Sequence, residues 1–200
     1  MNYASNSELR ARAREQLGGN IFGKTWLMAL LVLLIGSAIV GLGSTFVVVG
    51  FLLHGLIMVG VAGIFLSLKR RGSEIELGDM FNGTKQLTDN LLLGLMYNLF
   101  IMLWTMLFVI PGIVKSYAYR MAYYIKNDHP EYNWQQCIDE SRKMMNGHKW
   151  RLFTLDFSFI GWMILGSLCF GVGTLWVNAY MKAAEANFYM DMVEKTVIRE

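Results

Sequence analysis

The chain has 200 residues, 54% of them hydrophobic, with 18 Lys+Arg against 15 Asp+Glu and a formal net charge of +3. Two prolines and 14% aromatic residues exclude a disordered, collagen-like or low-complexity chain. Two cysteines exclude a disulfide framework, and the small positive charge forms no basic stripe with interleaved aromatics, so no nucleic-acid partner is expected.

The first element is a short helix. Ser5-x-x-Glu8 reads as a capping box, and Leu9, Ala13 and Leu17 fall opposite Arg10, Arg12 and Arg14. Two uncharged runs follow, Thr25–Leu42 and Phe46–Leu68, joined by Gly43-Ser44-Thr45. Their 18 and 23 residues suit a hydrocarbon core of roughly 30 Å. The first run also has the form of a signal-peptide core, but it opens into a second span and is read as retained. Leu91–Ile110 is a third uncharged run, and Leu152–Phe170 a fourth, interrupted only by Asp156. Four such runs leave too little polar surface to cover them in a soluble fold. The reading is an all-α, polytopic membrane helical bundle.

Charge between the runs sets the topology. Four Lys/Arg precede the first run, and Lys69, Arg70, Arg71 and Lys85 follow the second, so both segments belong in the cytoplasm. Seven more, from Lys115 to Arg151, would lie outside if Leu91–Ile110 crossed and nothing returned. A turn at Pro111 and Gly112, with a return through Ile113–Asn127, removes the conflict. A turn at Phe170-Gly171-Val172-Gly173 likewise gives a sixth span, Thr174–Met192. The expectation is six spans as three hairpins with short cytoplasmic interfacial helices, in the plasma membrane, both termini cytoplasmic.

An internal repeat of about 64 residues fits three hairpins. Met80–Lys85 (MFNGTK) matches Met144–Lys149 (MMNGHK) position by position, and Gln16–Asn20 is a weaker third copy, with Gly19, Gly83 and Gly147 in register. Asn133-x-x-Gln136 repeats the Ser5 capping box two periods later, and Ser73-x-x-Glu76 is a displaced third. The units expected within this single membrane domain are 5–68, 73–127 and 133–192. In the last copy's short helix, Trp134, Cys137, Ile138 and Met145 share one face, away from most of Asp139, Glu140, Arg142 and Lys143. Such helices lie in the headgroup plane and attract anionic lipid.

Polar residues within the spans are the candidate site. Arg120, Asp156 and Glu185 each lie six residues from a marker of the inner interface, about 9 Å deep. Arg120 is expected to bridge Asp156 and Glu185, with Lys182 one turn from Glu185 and with Asn98, Asn178 and Asn187 lining the same interior. The cluster reads either as an interhelical clamp or as a polar cavity for a lipid headgroup or an ion. The three histidines, His54, His129 and His148, and the two cysteines show no metal-ligand spacing, and no nucleophile or phosphate-loop motif is present, so no metal, cofactor or catalytic residue is expected. His54 is read as a packing histidine. Cys137 and Cys169 fall on opposite sides of the fifth span, so no disulfide is expected between them.

Several segments together resemble a known family. Ile110–Tyr119 (IPGIVKSYAY), Asp128–Glu131 (DHPE), Glu140–Arg142 (ESR), Met145–Phe153 (MNGHKWRLF), Leu155–Trp162 (LDFSFIGW) and Tyr180–Tyr189 (YMKAAEANFY) look like the uncharacterised bacterial membrane family catalogued as domain of unknown function 975, with a looser likeness around Ala11–Asn20. The resemblance implies an integral membrane protein, and it carries over no catalytic residue. More distantly the chain is similar to the membrane portion of some glycerophosphodiester phosphodiesterases, whose chemistry lies in a separate domain absent from this sequence. The functional expectation is a non-enzymatic membrane binding or regulatory module. Its expected partners are membrane lipids, further copies of itself or other membrane proteins. The alternative is a small transporter or lipid-handling protein.

Overall fold

A computed structural model describes residues 3–18, 23–43, 47–71, 86–168 and 172–197. These residues form ten helices: α1 Asn6–Gln16, α2 Lys24–Gly43, α3 Val47–Arg71, α4 Leu87–Leu107, α5 Val109–Tyr119, α6 Ala122–Asp128, α7 Trp134–Met144, α8 Lys149–Phe157, α9 Ile160–Leu168 and α10 Val172–Val197. Three stretches, Leu53–Arg70, Leu87–Leu107 and Lys149–Leu168, are long and apolar enough to cross a membrane. The Ser73 box, Gly19, Gly83 and the Phe170–Gly171 part of the last predicted turn lie outside the described residues.

Both remaining capping boxes form. The Ser5 N–H donates to Glu8 Oε2 at 2.6 Å while Glu8 N–H donates to Ser5 Oγ at 3.3 Å. The corresponding Asn133–Gln136 distances are 2.8 and 2.9 Å. Each box satisfies two backbone donors that an open helix end leaves unpaired. Past the other ends, Gly18 and Gly147 take φ of 86° and 80°, a conformation that costs glycine no strain. In the first helix the left-handed glycine is therefore Gly18, one residue before the predicted stop.

The predicted turn at Pro111 and Gly112 falls three residues earlier. Phe108 is extended (φ −156°, ψ 135°), which ends α4 and starts α5. Pro111 sits in the first turn of α5, where its missing N–H costs no hydrogen bond. Gly112 is buried against Thr105 of α4, so the glycine serves the hairpin's close packing and not its turn. The predicted fourth span is two helices with a bend at Arg120–Met121, where Tyr124 and Ile125 N–H both reach the Met121 carbonyl at 3.0 Å. The fifth is divided at Ser158–Phe159, where the backbone tightens: Ser158 N–H reaches the Leu155 carbonyl at 3.1 Å and Phe159 N–H the Asp156 carbonyl at 3.0 Å.

The helices pack as two compact units. One comprises 1–34, 64–77 and 151–200, the other 35–63 and 78–150. In the first, α1 and α9 pack on α10. Tyr180 of α10 makes an edge contact with Phe159, ring centroids 5.0 Å apart, and its hydroxyl donates to the Arg10 carbonyl at 2.8 Å. Leu9, Ala13 and Leu17 of the α1 region are fully buried. In the second unit, α4 packs on α5, and α7 packs on α4, α5 and α6. Cys137, Ser141 and Met145 are the fully buried positions of α7 and its C-cap, and the Ser141 hydroxyl donates to the Ala118 carbonyl at 2.8 Å.

The α3–α4 crossing rests on two glycines. A Cβ at Gly55 would stand 2.5 Å from the Asn90 carbonyl oxygen and 2.6 Å from Gly94 Cα. Overpacking at such a backbone contact costs typically 1–3 kcal/mol. Gly94→Val is expected to destabilise by at least about 2 kcal/mol, and Gly161→Ala, which meets nothing within 4 Å, to be neutral or slightly stabilising. Thermal melts of both variants in detergent check this, and equal melting of Gly94→Val and the wild type would refute the close crossing.

Candidate functional site

The second unit holds a cavity of about 510 Å³ where three helices converge. α4 contributes Phe100 and Trp104, α5 contributes Lys115 and Tyr119, and α7 contributes Trp134, Gln135, Ile138, Asp139 and Arg142. The α4 and α5 pairs each follow an i, i+4 spacing, so each presents one face. Trp134 closes one side, its ring centroid 6.4 Å from Phe100, which lies 6.2 Å from Tyr119. The Lys115 ammonium lies over the Trp104 ring at 4.6 Å, and Arg142 pairs with Asp139 at 3.1 Å. Two cations and one carboxylate on an aromatic wall give a site biased toward anions.

Beyond that cavity the α4–α5 hairpin is apolar and exposed. Met106 is 80% exposed, Ile110 75%, and Leu107, Phe108 and Val109 are also exposed. The first unit repeats the pattern, with Phe157, Trp162, Ile164, Leu165 and Leu168 exposed beyond α1.

The predicted polar cluster is distributed over both units. Lys182 and Glu185 pair at 2.8 Å, one helical turn apart as expected, with Glu185 buried. Asn187 is buried in the same unit, where its amide donates to Gln16 Oε1 at 2.6 Å and to the Ala183 carbonyl at 2.8 Å. Asn178 is exposed on α10, and Asp156 is half-buried on α8. Arg120 and Asn98 belong to the second unit. The Arg120 guanidinium lies 5.6 Å from the centre of the Tyr117 ring. Asn98 reaches His54 Nδ1 at 3.2 Å, which gives that histidine the polar partner its packing role requires.

Residues 106–196 match the family model described as protein of unknown function (DUF975). The family resemblance read from the sequence is shown over that stretch. No curated protein and no solved structure matches the chain. The DUF975 stretch takes in the α5 and α7 walls of the cavity, while Phe100 and Trp104 lie just before it. It also contains both members of an ion pair that sequence spacing does not reveal.

That pair is Arg151 and Asp191. Arg151 Nη2 donates to Asp191 Oδ2 and, at 2.9 Å, to the Ala4 carbonyl. Its guanidinium stacks over Tyr3 and Phe188 at 4.8 and 4.6 Å. Lys195 adds a second cation 3.4 Å from Asp191 Oδ1. The side chains of Arg151 and Asp191 are 16% and 4% exposed, so either alone would be a poorly solvated charge. Removing one partner of such a pair costs about 3–5 kcal/mol. Asp191→Ala is therefore expected to lower the melting temperature sharply, and Arg151→Leu combined with Asp191→Leu to recover part of the loss. A double variant no more stable than Asp191→Ala would refute the pairing argument.

Cys137 lies inside the α7 seat, fully buried, and burial pushes its thiol up from an ordinary 9.0 to about 11. Only the thiolate is an effective nucleophile, so at neutral pH its reactive fraction falls by about 100-fold. An impermeant maleimide is expected to leave Cys137 unmodified in opened cells and to label it fully after unfolding in dodecyl sulfate, in a Cys169→Ser background read by mass shift. Rapid labelling of the folded protein would refute the buried seat of α7.

Proposed function

We propose that the protein is a multi-pass membrane protein of the plasma membrane with a non-enzymatic binding role, whose three hairpins enter the bilayer from the cytoplasmic side and leave both termini in the cytoplasm. The observation that carries this reading is the pairing, in each unit, of an exposed apolar hairpin end with a helix buried on one face and charged on the other.

That pairing also supports a reading of depth. Asp139, Glu140, Arg142 and Lys143 project from α7 with side chains 43–72% exposed. Each ion facing hydrocarbon costs about 2.5–3.5 kcal/mol, so immersing all four costs on the order of 10 kcal/mol before pairing. The outer face of α7 therefore belongs at the headgroup level, with Trp104, Trp134 and Lys115 as interfacial anchors. From Phe100, level with Trp134, to the break at Phe108, α4 climbs only about 12 Å, less than half of a ~30 Å core. α8–α9 climbs about 15 Å from Ser158, beside Arg10, to Leu168.

In this reading the hairpins α4–α5 and α8–α10 are re-entrant. Leu87–Leu107 and Lys149–Leu168 are long and apolar enough to cross, but the short charged helix seated on each hairpin keeps its base at the headgroup level. This arrangement meets the charge rule as well as six spans do, because that rule requires only that each hairpin return to the side from which it came.

A single cysteine at Val109, in a background without Cys137 and Cys169, tests the depth. It is expected to resist impermeant maleimide in intact and in opened cells and to react only after detergent. Labelling in intact cells would restore the full crossing of α4–α5. Release of the protein from membranes by alkaline carbonate would refute membrane insertion itself.

A further inference from the structure

We propose that the cavity between α4, α5 and α7 binds the phosphate of an anionic phospholipid, with Lys115 and Arg142 on the phosphate and Phe100, Trp104 and Trp134 around the glycerol and first acyl methylenes. This deepens the membrane reading and rests on it.

Charge comes first. Lys115 has no carboxylate partner among the described residues, its closest described interaction being the face of Trp104. Arg142 and Lys149 both lie close enough to repel it. Asp139 neutralises only Arg142, so the group keeps a positive excess that an anion would relieve. A cation held on an aromatic face is partly desolvated, which strengthens its attraction to a phosphate that enters.

Shape decides between sources of that phosphate. The volume, about 510 Å³, lies within the range for small-molecule sites, far more than a bare phosphate fills. Apart from Gln135 and Asp139, the remaining wall is Phe100, Trp104, Tyr119, Trp134 and Ile138, which gives methylenes an apolar side to lie on beside a polar head. On its far side the exposed Met106–Ile110 end supplies a surface along which acyl chains continue. A lipid uses all three features, whereas a free anion uses only the first.

Native mass spectrometry of the purified protein, released from detergent containing equimolar phosphatidylglycerol and phosphatidylcholine, tests the site. The wild type is expected to retain phosphatidylglycerol preferentially. Lys115→Gln and Arg142→Gln should each lower that preference about fivefold, as expected for one interfacial cation. Lys143→Gln, which removes a cation paired with Glu140 on the outer face of α7, should leave it unchanged. The charge-preserving Lys115→Arg should retain it, which separates loss of the site from loss of folding. Equal retention of the two lipids by the wild type, or an unchanged preference in the Lys115→Gln, Arg142→Gln double variant, would overturn the proposal. Displacement of phosphatidylglycerol by millimolar inorganic phosphate would overturn the lipid assignment in favour of a free anion. Failure of the membrane reading is separately visible, because it releases the protein from carbonate-washed membranes whatever lipid it retains.

Discussion

The seating of a short, one-sided helix against an apolar hairpin is the contact on which the rest of each unit depends. α1 does it in one unit and α7 in the other, and the two use the same register. Leu9, Ala13 and Leu17 are the fully buried positions of the first; Cys137, Ser141 and Met145, each 128 positions later, are those of the second. Both helices begin in reciprocal capping boxes, which satisfy their first backbone donors and fix where each starts. Eleven residues are too few for a stable isolated helix, so the seat must supply what propensity does not. Once seated, each helix divides its hairpin into a covered base and an uncovered apolar end, and that division sets how far the hairpin can enter a bilayer.

Buried ions then fix the loops that carry these helices. Lys126, 3% exposed, donates to the Pro130 carbonyl at 2.9 Å and to the Tyr132 carbonyl, with Asp89 at 3.6 Å as counter-charge. It holds the 129–133 connection, and so places Asn133 where α7 must start. Arg151 does the same for the other unit, gripping Ala4 one residue before the Ser5 cap. Each tethers a cap to a hairpin, and each is tolerable under burial because several acceptors replace its water.

What the sequence disclosed follows from the range of the interactions involved. Capping boxes and the Lys182–Glu185 pair are local, written in spacings of three residues, and they appear where the spacing puts them. The apolar runs are also local, and helices occupy them. The turn expected at Pro111 and Gly112 falls at Phe108 instead, because proline tolerates the first turn of a helix as readily as it ends one. The division at Ser158 has no local sequence signal, since Ser67 and Ser116 turn their hydroxyls back in the same way inside unbroken helices. Arg151–Asp191 spans 40 residues, and the cavity needs three helices rotated so that Trp104, Lys115 and Trp134 face one another. Depth along a helix is readable from residue counts; rotation about its axis is not. The grouping of Arg120 with Asp156 and Glu185 rests on depth alone, and its members belong to different units.

Chain order adds one more constraint. α7 lies on the hairpin made immediately before it, so the second unit is assembled from neighbouring segments. α1 lies instead on α10, at the far end of the sequence, with Ala4 bonded to Asp191 at 3.4 Å and Asn6 to Thr154 at 3.0 Å. The first unit therefore closes only when the last helix is present, and until then the face formed by Leu9, Ala13 and Leu17 has no seat. Contacts of such long sequence separation form late, because the entropy of loop closure is spent before they repay it. The strong cap at Ser5 and the cluster of Tyr3, Arg151, Phe188 and Lys195 around Asp191 are what this closure requires. The cap marks where the helix starts, and the cluster holds it once α10 is in place.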